Sequence, residues 1–440
     1  MKKGIVALLI VLAVVVLVSP ALIGRLAEKS VDENINWAAQ ESGDLVVTSE
    51  SFRRGWFSSE GQHRVEIKEG NLQSMLAKFG EPDELPVLLI DTRLDHGLIP
   101  VTSMSRDRGS LAPGLGSAIS TLSIEAADGE TIDLPGTIYS KVALGGELQS
   151  NFVLEAGSHQ DENATASWGA TDVDVTTNPS TGDVAFEGEI GTLSLKDDSD
   201  LIEVGGITFS GSQAPTDYGF ATGDMKLEVN GVSITTDGVE AGGLKYLNVD
   251  GTTEVDNGLV SGRTVFEMES LSVPQIGELK VVADISLEGA DAEALGAMQK
   301  AIEAQGANPD PNQLFGVIEE DLKNLMASGL ELRFDQLDVT LPQGTVTTKL
   351  EVKVGEEDIA TFEWTSMLLG TEASADIRVP EALVDMAMQM NPQAGAVVGM
   401  GFLKKNGDVY EMIAEYKKGL LTINGAPMPI PLGAVSYTHL

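Results

Sequence analysis

Stretches such as "LVVTSESF" (45–52), "DVAFEGEI" (183–190) and "MKLEVNGVSITTDG" (225–238) set apolar residues at about every second position, and the habit persists from Leu45 to about Gly289. A period of two puts one set of side chains on a buried face and the other in water, so these stretches are predicted to be strands. Asn230-Gly231, Asp237-Gly238, Asp250-Gly251 and Asn257-Gly258 punctuate them. Such pairs accept the positive φ of tight hairpin turns. The 48 glycines among 440 residues show no collagen period, so they suit many turns rather than a fibre. No strict repeat length holds, which excludes a regular solenoid. A long antiparallel meander with one buried and one wetted face is expected. Its core is mainly aliphatic, because aromatics are only 5% of a chain that is 42% hydrophobic.

The pattern changes near Ala290. "DAEALGAMQKAIEAQ" is rich in helix formers, "NPDPN" interrupts it, and Gln313 to Ser328 places Leu314, Phe315, Ile318, Leu322, Leu325 and Met326 on one side. A helix pair capping a sheet is the expectation. Strands then resume at "LELRFDQLDVTL", and Pro380 is read as opening a further helix. The group Met386, Met388, Met390 and Met400 could form an adaptable binding face, but core packing is the preferred reading. "DVYEMIAEYKKGLLTINGAPMPIP" reads as a hairpin turning at Lys418-Gly419. The expected organisation is an anchor over 1–24, a stalk helix over 25–44 and a β-rich region over 45–289. A helix pair over 290–330, strands and helices over 331–435 and a non-native tail over 436–440 follow.

Gly4 to Gly24 carries no charge, and Lys2 and Lys3 precede it. At about 1.5 Å per residue the run spans roughly 30 Å, a bilayer's hydrocarbon thickness. The flanking lysines would leave the N-terminus in the cytoplasm. A cleaved signal peptide competes, with Ser19 and Ala21 as small residues, but Pro20 between them and the length of the run favour an uncleaved anchor. The expected fold class is therefore mainly β (α+β): a long antiparallel β-rich exported body, a few packed helices in its C-terminal third, and one N-terminal transmembrane helix.

Residues "FRRGWFSS" (52–59), "DHG" (95–97) and "YKKGLLTING" (416–425) follow the charged leader in that order. In this order they resemble the YdgA-like family of bacterial envelope proteins of unknown function. The most specific positions are Arg54, Gly55, Phe57, Ser58, Asp95, His96, Gly97, Asn424 and Gly425. Leu98 departs from the pattern, where a proline commonly follows. The resemblance implies an inner-membrane anchor and a periplasmic β body, and carries no reaction. Arg53, Arg54, Trp56 and Phe57 are also candidates for contact with a membrane surface, where cations and aromatics gather. A structural corner between two strands, with Gly55 supplying the turn, is the preferred reading of that stretch.

The formal charge of −39 repels phosphate backbones, which excludes nucleic acid as a partner. Cysteine is absent, so no thiolate nucleophile, disulfide or zinc–thiolate site is available. No H-E-x-x-H, G-x-S-x-G, G-x-G-x-x-G or P-loop motif occurs. Asp95 and His96 are neighbours, and on a strand neighbours point to opposite faces, so a structural role is favoured there. "DDSD" at 197–200 lacks the spacing of a calcium loop and reads as a solvated hairpin tip. The expectation is a non-enzymatic, anchored envelope protein with no cofactor, resting on the inner-membrane bilayer and holding an envelope protein or lipid partner. The alternative is a carrier of lipid or another hydrophobic ligand in a groove along the long sheet.

Overall fold

The computed structural model describes residues 45–54, 58–67, 87–96, 114–125, 131–160, 164–197, 199–273, 277–304, 311–391 and 393–429. The chain divides into two compact units, one of residues 1–215 and 226–243, the other of 216–225 and 244–440.

In the first unit the strands are β1 (Leu45–Arg54), β2 (Ser58–Ile67), β3 (Val87–His96), β4 (Gly114–Glu125), β5 (Thr131–Ala143), β6 (Leu148–Leu154), β7 (Gly157–Gln160) and β8 (Ala164–Trp168). They continue as β9 (Thr171–Asn178), β10 (Asp183–Ile190), β11 (Leu193–Asp197), β12 (Asp200–Val204), β13 (Ile207–Pro215) and β15 (Val232–Thr236). The unit boundaries fall inside β14 (Ala221–Val229) and β16 (Val239–Leu244). From β1 to β6 the chain is the expected antiparallel meander. After β6 the pairing stays antiparallel but the meander ends. β6 pairs with β9, and β10 with β13, while β8 pairs with β11 and β12 with β15. Successive hairpins alternate between two layers, β1-β2-β3-β4-β5-β6-β9-β10-β13 and β7-β8-β11-β12-β15.

Both layers contribute to one core. Leu122, Ile138, Phe152, Leu154 and Val173 from the larger layer meet Trp168 from the smaller, with Leu193 packed against them. Trp168 keeps its indole N–H satisfied by donating to the carbonyl of Glu155 at 3.0 Å.

Glycine makes the layer changes possible. Where β8 passes into β9 and β10 into β11, Gly169 N donates to Thr192 O at 2.8 Å and Gly191 N to Ala170 O at 2.9 Å. A Cβ on Gly191 would stand 2.6 Å from the Cα of Gly169. At the next pair of switches Gly205 N donates to Gly231 O at 2.8 Å, and Asn230 N to Gly206 O at 2.9 Å. Corners at which strands change sheets need backbones this close, and only a residue without Cβ permits it. Asn230-Gly231 is thus one of these corners rather than a plain hairpin turn.

The second unit is a meander with helices inserted: β17 (Tyr246–Asp256), β18 (Leu259–Val273), β19 (Gly277–Asp291), α1 (Ala292–Ala304), α2 (Pro311–Ala327), β20 (Glu331–Leu341), β21 (Gly344–Lys353), α3 (Trp364–Gly370) and β22 (Glu372–Pro380). Then come α4 (Glu381–Met390), α5 (Ala394–Gly399), β23 (Lys404–Asn406), β24 (Val409–Lys417), β25 (Leu420–Ile423) and β26 (Ala426–Met428). Strand order is β17-β18-β19-β20-β21-β22-β24-β25-β26, antiparallel throughout, with β23 on the first residues of β24. Asp250-Gly251 does not turn the chain; it lies inside β17, where Gly251 pairs with Thr264. Long-range pairing with a partner strand overrides the local turn preference there. By contrast Asn257-Gly258, Lys418-Gly419 and Asn424-Gly425 all adopt positive φ at both residues, as the tightest hairpins require.

Asp291 caps α1 by accepting from Ala294 N at 2.7 Å. Ala290, Ala292 and Ala294 are buried against Leu325 and Leu330, so small side chains let the helix pair lie close to the sheet end. Phe315, expected on the packed side of α2, is instead 41% exposed. Pro380 is the last residue of β22 and caps α4 rather than opening it.

One face of this sheet carries paired charges: Arg263 on Asp284 at 2.6 Å, Lys280 on Glu267 and Glu269, and Lys417 on Glu372 at 2.6 Å. In the first unit Arg64 makes a bidentate pair with Glu125, both bonds 3.0 Å, and donates to Glu66 at 2.6 Å. The Arg64 bond holds the Glu125 carboxyl below its usual range, and Arg263 does the same to Asp284. Ser270 first and then Lys245 lower Glu278, and Lys417 lowers Glu372. Carboxyls depressed on folding stabilise above their unfolded pKa of about 4 and lose that contribution as pH falls through the lower folded value. The urea midpoint is therefore expected to stay level from pH 7 to about 5 and to fall below about 4. Arg64→Gln should start lower and lose less across the acid limb, measured by circular dichroism. An acid limb unchanged by Arg64→Gln would show that Glu125 does not contribute.

The expected transmembrane helix requires correction. Among the described residues no helix is long and apolar enough to cross a membrane. The 17 residues of α2 form the longest described helix, and its charged side makes it amphipathic. The anchor over 1–24 and the stalk over 25–44 lie outside the described residues. The single-pass inner-membrane placement with cytoplasmic N-terminus and periplasmic bulk, the signal-anchor and cell-envelope reading, and the bilayer as partner have no described helix behind them and are withdrawn.

Candidate functional site

In the first unit the family-motif residues gather at one end of the larger layer. Arg54 ends β1 opposite Ser59, Ser58 opens β2 opposite Asp95, and His96 ends β3 opposite Gly116. Asp95 is buried, with Arg93 Nε 3.9 Å from its Oδ1. Arg53 is exposed. Gly55, Trp56, Phe57 and Gly97 lie outside the described residues, as do the side chains of Arg54 and His96. The acidic "DDSD" runs from Asp197, the last residue of β11, to Asp200, the first of β12, and Asp198 lies outside the described residues. Among the described residues no group of three or more His, Asp or Glu is placed to hold a metal ion.

The other motif pair, Asn424 and Gly425, organises a cleft in the second unit. α5 is short, and its end is built by a glycine. Gly401 has φ +77°, its N donates to Val398 O at 3.0 Å, and Phe402 N donates to Val397 O at 3.1 Å. This is the paired-bond termination that a left-handed glycine allows. It leaves the carbonyls of Gly401 and Phe402 pointing away from the helix, and Asn424 binds both.

Asn424 Nδ2 donates to Gly401 O at 3.1 Å, to Phe402 O at 3.2 Å and to Glu411 O at 3.4 Å. Its Oδ1 accepts from Ile413 N at 2.9 Å, while its own N donates to Ile413 O at 2.7 Å. One side chain thus ties the end of α5, β24 and the β25–β26 turn together. Asn is among the few residues with a Cβ that tolerate φ near +50°, the value found here. Asn424 and Gly425 stand out in the sequence, but their bonding does not, because the partners are 11 to 23 residues away.

Behind the clamp lies an open cavity of about 450 Å³ lined by Val398, Met400, Phe402, Tyr410, Ile423 and Met428. That volume lies in the range of small-ligand and side-chain pockets. Lys404 and Lys405 stand at its rim. Lys405 pairs with Glu381, which raises its pKa. Lys404 is exposed and makes no ion pair among the described residues. Lys404 therefore brings one unpaired positive charge to the rim in a chain of net charge −39. The methionine group divides: Met386 and Met388 are half-buried, but Met400 is 62% and Met390 80% exposed. The cavity is at the C-terminal end of the second unit and not along the long sheet, where a carrier groove was expected.

A family model described as bacterial protein of unknown function (DUF945) matches residues 1–431. No curated protein and no solved structure matches the chain.

Proposed function

The chain belongs to this DUF945 family, usually described as YdgA-like, and we propose that within it the chain is a non-catalytic recognition protein that holds a short apolar segment of a protein partner in the Asn424 cleft. The observation that carries this reading is a thioether left in water beside an apolar cavity, Met400 at 62% exposure. Exposing it costs burial energy that a bound apolar segment would return, and methionine's flexible, polarisable side chain suits varied partners. The unpaired Lys404 on the rim favours an acidic residue flanking the apolar ones.

Selection of random displayed peptides on the full chain, counter-selected on Met400→Glu, tests the proposal. Enriched peptides should combine two or three large apolar residues with an acidic one. Fluorescence anisotropy should show binding to Met400→Glu weakened about tenfold or more, since a carboxylate would enter the apolar lining. Peptides that bind both proteins alike, or no enrichment, would remove the reading.

A further inference from the structure

The cleft's lining has a chemistry that recognition alone does not use. The chain has 14 methionines and no cysteine, so no thiol competes for mild two-electron oxidants and the thioethers are its most readily oxidised groups. Access then ranks them. Among the described residues Met390 and Met400 are the most exposed methionines, at 80% and 62%, followed by Met225 at 44%. Of the two most exposed, Met400 lines the cavity and Met390 does not. Met400 also sits at a fixed point. It is the residue after the last turn of α5, its N donating to Ala396 O at 2.8 Å, and Gly401 beside it is held by Asn424.

We propose that Met400 is a reversible oxidation site whose sulfoxide lowers the affinity of the cleft for apolar segments, an inference that rests on the recognition reading above. With hydrogen peroxide the Met400 sulfur gives two electrons and gains one oxygen, the O–O bond breaks, and the second oxygen leaves as water. The reverse step needs a dithiol reductant, which becomes a disulfide as the oxygen departs as water. The product carries a strong S–O dipole where an apolar lining stood, and a segment docked there must strip water from it without replacing the bonds. The backbone clamp contains no thioether, so the fold of the cleft survives the change.

The test uses the full chain, hydrogen peroxide, peptide mapping by mass spectrometry, and the fluorescent apolar probe 8-anilinonaphthalene-1-sulfonate. Sulfoxide should form at Met390 and Met400 at least about fivefold faster than at half-buried Met386 and Met388. Probe binding by the wild-type chain should fall roughly fivefold and return after treatment with a dithiol-supplied methionine sulfoxide reductase. Met400→Leu, which keeps the volume but has no sulfur, should hold its binding through peroxide treatment, and Met390→Leu should lose it as the wild type does. Oxidation of Met400 no faster than of Met386, or equal losses in wild type and Met400→Leu, overturns the proposal and leaves the recognition reading standing. Equal probe binding by the untreated wild type and Met400→Glu removes the recognition reading, and this inference with it.

Discussion

Gly205→Ala is expected to destabilise the first unit by about 3 kcal/mol or more, the upper range for overpacking a site that cannot relax. The added methyl would lie 2.0 Å from the carbonyl oxygen of Asn230 and 2.6 Å from its carbon. These are backbone atoms, held in place by the bonds of Gly205 N to Gly231 O and Asn230 N to Gly206 O. The corner must open for the methyl to fit, and opening it breaks the passage of the chain between the two layers. Gly145→Ala is the matched control, because nothing lies within 4 Å of its added methyl. That change should stay within about 0.5 kcal/mol of wild type. Urea unfolding followed by circular dichroism separates the two. Equal midpoints would mean that the layer switch is not a close-packed corner.

Asn424→Ala carries the second large effect. It removes the donor to Gly401, Phe402 and Glu411 and the acceptor for Ile413 N, and it places alanine at φ +50°. Losing a multiply bonded, half-buried amide and adding left-handed strain should cost about 3 kcal/mol. Asn424→Gly isolates the two contributions, since glycine accepts the φ but supplies no bonds. Its loss should be smaller than that of alanine by about 1 kcal/mol. Amide hydrogen exchange should speed up most at Ile413 and Asn424, whose N–H bonds close the clamp. Protection unchanged in both variants would show that the side chain does not hold the cleft together.

These two residues also mark how far the sequence could be read. Alternation and glycine pairs were enough to place strands such as β1, β10 and β24 and the turn at Lys418-Gly419, because both signals are local: side-chain period and positive φ. Asn424 and Gly425 stood out as a motif, and their positive φ fits the type of residue there. Their bonding did not stand out. Asp250-Gly251 shows the opposite error, a strong local turn signal inside a strand, because the register with β18 outweighs it. The exposed Met400 was legible only as part of a methionine group, and spacing along α4 and α5 does not say which thioether faces water.

What the amino-acid order determined by itself is the class of the molecule: a chain of short strands, glycine turns and an aliphatic core, with a helix pair in its later part. Those features depend on neighbours within a few residues. Tertiary structure alone decided that hairpins after β6 alternate between two layers, that glycines 169, 191 and 205 are contact points instead of turns, and that one asparagine closes a cleft. Each of these rests on atoms far apart in the chain brought within bonding distance, and no local pattern encodes which distant backbone will arrive there.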